Sequence, residues 1–191
     1  MSELPNSRRI QIAFVGGHVR RWHAEDIIGE ERVDSHTWGM LAIIHILHPA
    51  PSVELLRAVT FHDSPGEPFS GDIPHGAKVA FPELKAADNS IGERAERAIG
   101  VHSEIGPEDQ WWLSFADMAQ ALLFLRRQTA QGNNMMLGKV IECEELVRGM
   151  AKHPAAPETA NEAIQGILKC RTDTHMSRDL LRLEREAGVN Q

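Results

Sequence analysis

The sequence has little cysteine, no long apolar run and no surplus of positive charge, and each shortage excludes something. Its two cysteines, Cys143 and Cys170, lie far apart. They match no zinc-motif spacing and cannot form a disulfide-dense scaffold, so reduced thiols in a cytoplasmic protein are the default reading. No apolar stretch reaches the ~18 residues that a membrane-spanning helix needs, and Met1-Ser2-Glu3-Leu4-Pro5 does not read as a secretory signal. With 20 Lys and Arg against 27 Asp and Glu, the net charge is −7. That balance argues against partners such as polymeric nucleic acid or a membrane surface, and leaves any anionic substrate to be met by a local basic cluster. Internal repeats, low-complexity segments and strand-like alternation are also absent.

What remains is an ordinary globular composition, 42% hydrophobic and 25% charged over 191 residues. It suits one domain, 1–191, with a sizeable core. Ten histidines are a mild excess that prompts a look for metal ligands. The periodicity is helical throughout. Ser7 to Val15 reads as a first helix stopped by Gly16-Gly17. A second runs from Ser35 to His48, with Asp34 as N-cap and Val33 and Trp38 as a hydrophobic staple, and is apolar nearly all round, as a central buried helix is. Pro49 and Pro51 close it, and Ser52 caps the next, which carries His62 and Asp63 to its end.

A glycine- and proline-rich loop covers 64–82. Pro82 then opens a helix with Leu84, Ala87, Ile91, Ala95 and Ala98 on one stripe, and Pro107 opens a long one through Trp111, Trp112, Phe115, Leu122 and Leu125, ended by Gly132. Met136, Val140, Cys143 and Val147 form another stripe. The segment 153–159 reads as a loop, and short helices at about 160–170 and 178–187 finish the chain. About seven helices with short connections make an all-α bundle.

Four residues stand out chemically. His62 and Asp63 are adjacent at a helix end that Pro65-Gly66 enforces. Neighbours on a regular helix point about 100° apart, so they converge on one ion only where the helix stops. His36 sits in the first turn of the most apolar helix, and Asp117 lies among Phe115, Ala116, Met118 and Ala119. A carboxylate there is costly to bury without a cationic or hydrogen-bonding partner. Each residue also has a plain reading: a helix-end pair with no metal, a hydrogen-bonded core histidine, an aspartate on the solvent face of an amphipathic helix.

Taken together and in this order, His36, His62-Asp63 and Asp117 resemble the H…HD…D ligand set of the HD superfamily of metal-dependent phosphohydrolases. Arg21-Trp22, Val33 to Trp38, Glu67…Gly71-Asp72-Ile73-Pro74…Lys78, Ala116-Asp117 and Gly132-Asn133-Asn134 are similar to the bacterial 5′-deoxyribonucleotidases of that superfamily, over roughly residues 14–150. The run Gly16-Gly17-His18-Val19-Arg20-Arg21-Trp22-His23 resembles small phage members that strip triphosphate from dATP and other deoxynucleotides.

The resemblance implies an HD-domain bundle and a metal-dependent deoxynucleotide phosphohydrolase, with a dATP/dNTP triphosphohydrolase ahead of a 5′-deoxyribonucleotidase acting on dNMPs. It also implies a homo-oligomer, a dimer or higher, in the cytoplasm, or the host cytoplasm if phage-encoded. His36, His62, Asp63 and Asp117 then hold a divalent transition metal, Co2+, Mn2+, Zn2+ or iron, with Mg2+ as a second ion. Glu67 and Asp72 are the catalytic carboxylates, Arg21, Lys78 and Arg20 meet phosphate, and Trp22 packs on the sugar or base. His18, His23 and His75 flank the site, whereas His45, His48, His102, His153 and His175 read as structural.

Ser64-Pro65-Gly66 is one residue longer than in the relatives, which points to a bulge at Gly66. A non-catalytic metal-bound scaffold needs only the four ligands, and retention of Arg21, Glu67, Asp72 and Lys78 beside them argues against it.

Overall fold

A computed structural model of the chain describes residues 4–171 together with 187 and 188. Its helices are α1 (Asn6–Gly17), α2 (Val33–Leu47), α3 (Val53–Thr60), α4 (Glu67–Ser70), α5 (His75–Ala80), α6 (Pro82–Ile99), α7 (Pro107–Ala130), α8 (Leu137–Gly149) and α9 (Ala160–Lys169). Seven of these have eight residues or more, and the chain is all-α, as expected. The expected helix at 178–187 falls, but for residue 187, outside the described residues, as does His175.

The long helix α7 is the axis. Trp111, Trp112, Phe115, Ala116, Ala119, Leu122 and Leu125 are all buried, at spacings that wrap the helix in neighbours rather than leaving it one wet face. Trp111 stacks on Phe115 at 5.0 Å, and Trp112 meets Trp111 edge-on at 5.0 Å, the offset geometries aromatic rings prefer. The Trp111 indole donates to the Met150 carbonyl at 3.0 Å, which ties the end of α8 to the start of α7. Around this axis pack Met40, Ile43 and Ile44 of α2, Leu55 and Val59 of α3, Cys143 and Val147 of α8, and Ala163, Ile164 and Ile167 of α9. Arg126 of α7 donates to the carbonyls of Ile167, Leu168 and Cys170 at the end of α9, and pairs with Glu144.

Several local expectations give way. The N-cap of α2 is Arg32: its N–H donates to Ser35 Oγ at 3.1 Å and its carbonyl accepts from that hydroxyl at 2.8 Å. Asp34 lies one residue inside, and no staple forms, because Val33 is buried while Trp38 is 72% exposed. Nor is α2 apolar-buried all round; Trp38 and Ile46 both face outward. The loop 64–82 folds into α4 and α5. On α6 only Ala95 and Ile99 are buried; of the expected stripe Ile91 is half-buried, and Leu84, Ala87 and Ala98 are exposed. A two-stranded ribbon, β1 (Arg20–Arg21) with β2 (Glu31–Arg32), joins α1 to α2 and places Arg21 opposite Glu31. Ser52 caps α3 as expected, accepting from Leu55 N–H at 2.9 Å.

Candidate active site

Three helices deliver the central residues. His36 lies in the first turn of α2, fully buried. Asp117 lies midway along α7. The pair after α3 needs more: the helix stops at Thr60 and is closed by Phe61, so His62 and Asp63 stand in the turn beyond it. Asp63 has φ +64°, the left-handed region that aspartate tolerates better than most residues. Its carbonyl accepts from Gly66 and Glu67 N–H, both at 3.0 Å, while Ser64 N–H reaches His62 O at 2.7 Å. This reversal aims two consecutive side chains at one place.

The turn packs closely on α6: a Cβ on Gly66 would lie 2.9 Å from Cα of Gly92. The same turn backs onto α1, where a Cβ on Gly16 would lie 1.6 Å from the Ser64 carbonyl oxygen.

His36, His62 and Asp117 offer three ligand atoms that all lie within 4.8 Å of one another. His36 Nε2 is 3.1 Å from Asp117 Oδ1 and makes no hydrogen bond among the described residues. Asp63, the fourth expected ligand, stands beside this group: its Oδ1 is 3.5 Å from His62 Nε2, and its Oδ2 takes a 3.0 Å bond from Arg21 Nη1. The Arg21 guanidinium also lies 3.8 Å from Asp117. Crowding by protein pushes both aspartates up, but neighbouring side chains prevail: His62 and Arg21 for Asp63, His36, His62 and Arg21 for Asp117. Both are held below the usual carboxylate range.

Glu67 behaves oppositely. It is 7% exposed, and its Oε2 has no hydrogen-bond partner among the described residues. Burial, then the charges of Asp63 and Asp72, push its pKa up to about 8, against the pull of Arg21 and Lys78. Asp72 accepts from the Trp22 backbone N–H at 3.2 Å, and His23 Nδ1 lies 3.7 Å away. Lys78 is drawn to Asp88 of α6 at 2.6 Å, and Ser70 Oγ donates to the same carboxylate at 3.1 Å. Arg20 pairs with Glu30 at 3.2 Å on the outside. One face of the Trp22 ring stacks on Phe124, with centroids 5.6 Å apart. A cavity of about 220 Å³ opens between the metal-ligand turn and α6, lined by His62, Asp63, Glu67, Asp88 and Glu93 among others.

The sequence reading did not single out Glu31, Gln120 or Gln128. Glu31, 4% exposed, accepts from Trp22 Nε1 at 2.6 Å and from Gln120 Nε2 at 2.7 Å, and lies 3.5 Å from Arg21 Nε. Gln120 Oε1 faces His36 Nδ1 at 2.5 Å. A signal existed: residues 117 and 120 share a helix face. Gln128 clamps the loop between the strands, bonding both N–H and C=O of Ile28, and Asn133 reaches the Asp26 carbonyl at 2.7 Å. Of the other histidines, His48 stacks on Trp112 at 4.6 Å and His102 meets Glu96 at 2.8 Å, both structural contacts, whereas His45 is exposed.

The donor set suits a cation. Two imidazole nitrogens with carboxylates on either side favour a divalent transition metal over calcium. A buried, unbonded imidazole nitrogen, which costs about 1–3 kcal/mol when left so, is what such an ion relieves.

No family model matches the sequence, and no curated protein matches it. Among solved structures, the chain is similar to the cyanophage S-2L HD phosphohydrolase DatZ, bound to dA and one catalytic Zn2+ ion. The TM-score is 0.62 at 16% identity, covering 87% of this chain and 96% of that one. The likeness shows the fold: the chain has the helical architecture of an HD phosphohydrolase.

Proposed function

We propose that the protein is a metal-dependent deoxynucleotide phosphohydrolase, with dATP-type triphosphates as the first substrates to try. The observation that carries this reading is the convergence of His36 of α2, Asp117 of α7 and His62 of the turn after α3, with Asp63 and Arg21 alongside and the buried Glu67 carboxyl close by. The HD fold, and a neighbour of that fold that binds dA and Zn2+, support it.

In this reading His36, His62, Asp63 and Asp117 hold one divalent ion, which supplies Lewis acidity toward a phosphate oxygen and a water. Arg21, already among those carboxylates, presents a planar fork to phosphate. Glu67, whose pKa burial raises to about 8 in the metal-free protein, gives or takes a proton at the reacting oxygen, the task for which a pKa near the working pH is suited. Asp72 is the second acid-base carboxyl, and its bond from the Trp22 backbone N–H also fixes the wall against the sugar or base. Lys78 faces the phosphate from α5, steadied by Asp88.

Hydrolysis of dNMPs uses the same constellation, and one observation favours it: Arg20 is paired with Glu30 on the outside, so it is already engaged by a carboxylate before any long phosphate tail arrives. Incubating dATP, dGTP and dAMP with Co2+ or Mn2+, and separating released phosphate from triphosphate, tests the proposal. Triphosphate release supports the first reading, and phosphate from dAMP alone supports the second. No turnover with any metal would leave only a metal-bound scaffold.

A further inference from the structure

The hydrogen bonds around Glu31 have a direction. Trp22 Nε1 is a donor only, and Arg21 is too; both approach Glu31 Oε2, at 2.6 and 3.5 Å. Glu31 is therefore the acceptor at this end. Its other oxygen faces Gln120, so the amide nitrogen must turn toward it, 2.7 Å away. That leaves the amide oxygen facing His36 Nδ1 at 2.5 Å. Two acceptors do not face each other at that distance, so Nδ1 carries the hydrogen. His36 Nε2, enclosed and 3.1 Å from Asp117 Oδ1 but not aligned for a hydrogen bond to it, then presents its lone pair to the point where His62 and Asp117 converge.

A second, independent observation concerns space. Gly39 lies on α2 one turn beyond His36, and a Cβ there would meet Gln120 Cγ at 2.6 Å. A glycine inside the most apolar helix is unfavourable for helix formation. Here it lets the Gln120 stem lie flat against α2, which brings the amide within reach of both His36 and Glu31.

We infer that Glu31 and Gln120 are positioning residues that fix His36 in its metal-binding tautomer, with Gly39 making the room they require. The inference rests on the reading that His36 is a metal ligand. It also joins two halves of the site: the carboxylate that orients His36 through Gln120 is the one that holds the Trp22 indole. Outer partners of this kind set the tautomer and basicity of a ligating imidazole, and their loss typically costs about 10–100-fold in metal affinity.

The test uses the full chain, three variants and two readouts. Nitrogen-15 NMR of the metal-free protein at pH 8 reports which His36 nitrogen bears the hydrogen, and competition against a chelator reports Zn2+ affinity. Wild type is expected to show Nδ1–H. Gln120→Met removes the acceptor, and Gly39→Ala displaces it without altering a polar group. Each is expected to populate Nε2–H and to weaken Zn2+ binding by about 10–100-fold. The reversed pair Glu31→Gln with Gln120→Glu restores a donor facing an acceptor and an acceptor facing His36, and is expected to recover both readouts.

A wild-type His36 protonated on Nε2, or an unchanged tautomer and affinity in both single variants, overturns the inference while leaving the metal reading intact. Failure of the wild type to take up Zn2+ at all overturns the metal reading instead, and the NMR readout still decides the tautomer. Should Gln120→Met not fold, Gly39→Ala carries the test, since alanine is the better helix former at that position.

Discussion

Replacing Glu67 by glutamine separates what the residue does for catalysis from what it costs the fold. Its carboxyl is buried, and its pKa stands at about 8 instead of the ordinary 4.5. Between those values the native protein holds a proton that the unfolded chain has released. Stability therefore falls as pH rises, by about 1.4 kcal/mol per pH unit. The stability this group contributes is complete below pH 4.5 and is lost by the time pH passes 8. Summed over the window, wild type forfeits up to about 5 kcal/mol relative to a chain without the ionisation. Glutamine has nearly the same shape and no proton to lose.

Glu67→Gln is thus expected to match wild type near pH 4.5, to become progressively more stable up to pH 8, and to hold its advantage above. Urea midpoints of both proteins at pH 5, 6.5 and 8, with chelator present, measure this directly. Asp63 and Asp117, held below the usual carboxylate range, stay ionised across this window in both proteins. Turnover is expected to fall by about 100- to 10,000-fold, the range for losing a general acid or base, with Zn2+ uptake retained. Midpoints that move in parallel with pH would refute the argument, because they would mean that Glu67 ionises in the folded protein as freely as in the unfolded one.

Three further outcomes follow from the geometry. Gly16→Ala places a carbon 1.6 Å from the Ser64 carbonyl oxygen and must part α1 from the turn bearing Asp63. A loss of about 3 kcal/mol is expected, seen as a fall in melting temperature of roughly 6–12 °C, and Zn2+ binding weakens with it. Asp72→Asn keeps the acceptor for the Trp22 N–H and is expected to retain the metal, checked by elemental analysis, while losing turnover; unaltered turnover would favour a scaffold. Arg126→Met strips three carbonyl partners from the end of α9 and is expected to cost about 2 kcal/mol in urea unfolding with kcat unchanged.

The bundle was legible because burial leaves a helical period in the sequence: Trp111 to Leu125 repeats at three and four residues whatever surrounds it. Local detail was not. The cap of α2 passed to Arg32 and Ser35 because the antiparallel ribbon fixes where the chain enters the helix, and a two-residue ribbon leaves no alternation to read. Trp38 is exposed although Met40 and Ile43 are buried, since hydrophobicity alone does not say which side of a nearly uniform helix faces inward. At the site, the metal-binding residue types announced themselves, and the partners did not. Glu31 in Gly-Glu-Glu-Arg looks like a surface carboxylate, and only the register that sets it opposite Arg21 shows it to be buried. Asp88 likewise reads as one polar residue among many on α6 until Lys78 and Ser70 are seen to converge on it.

The charges of the site make the metal more than an accessory. Glu31, Asp63, Glu67, Asp72, Asp88 and Asp117 supply six carboxyl groups, and Arg21 and Lys78 are the cations set among them. Arg21 is shared by three of those carboxylates, and Lys78 is taken by a fourth. Keeping Glu67 protonated removes one negative charge, which is one consequence of its raised pKa. It does not make the site attractive to phosphate, which brings at least one more. In a partly desolvated cleft, like charges a few ångströms apart repel by several kcal/mol at an effective dielectric of about 20. A divalent ion among His36, His62, Asp63 and Asp117 reverses that balance where the phosphate must sit, because it is the largest local charge. The chain's overall negative charge and the proposed phosphate chemistry are compatible on that condition, and the buried nitrogen of His36 marks the place where it is met.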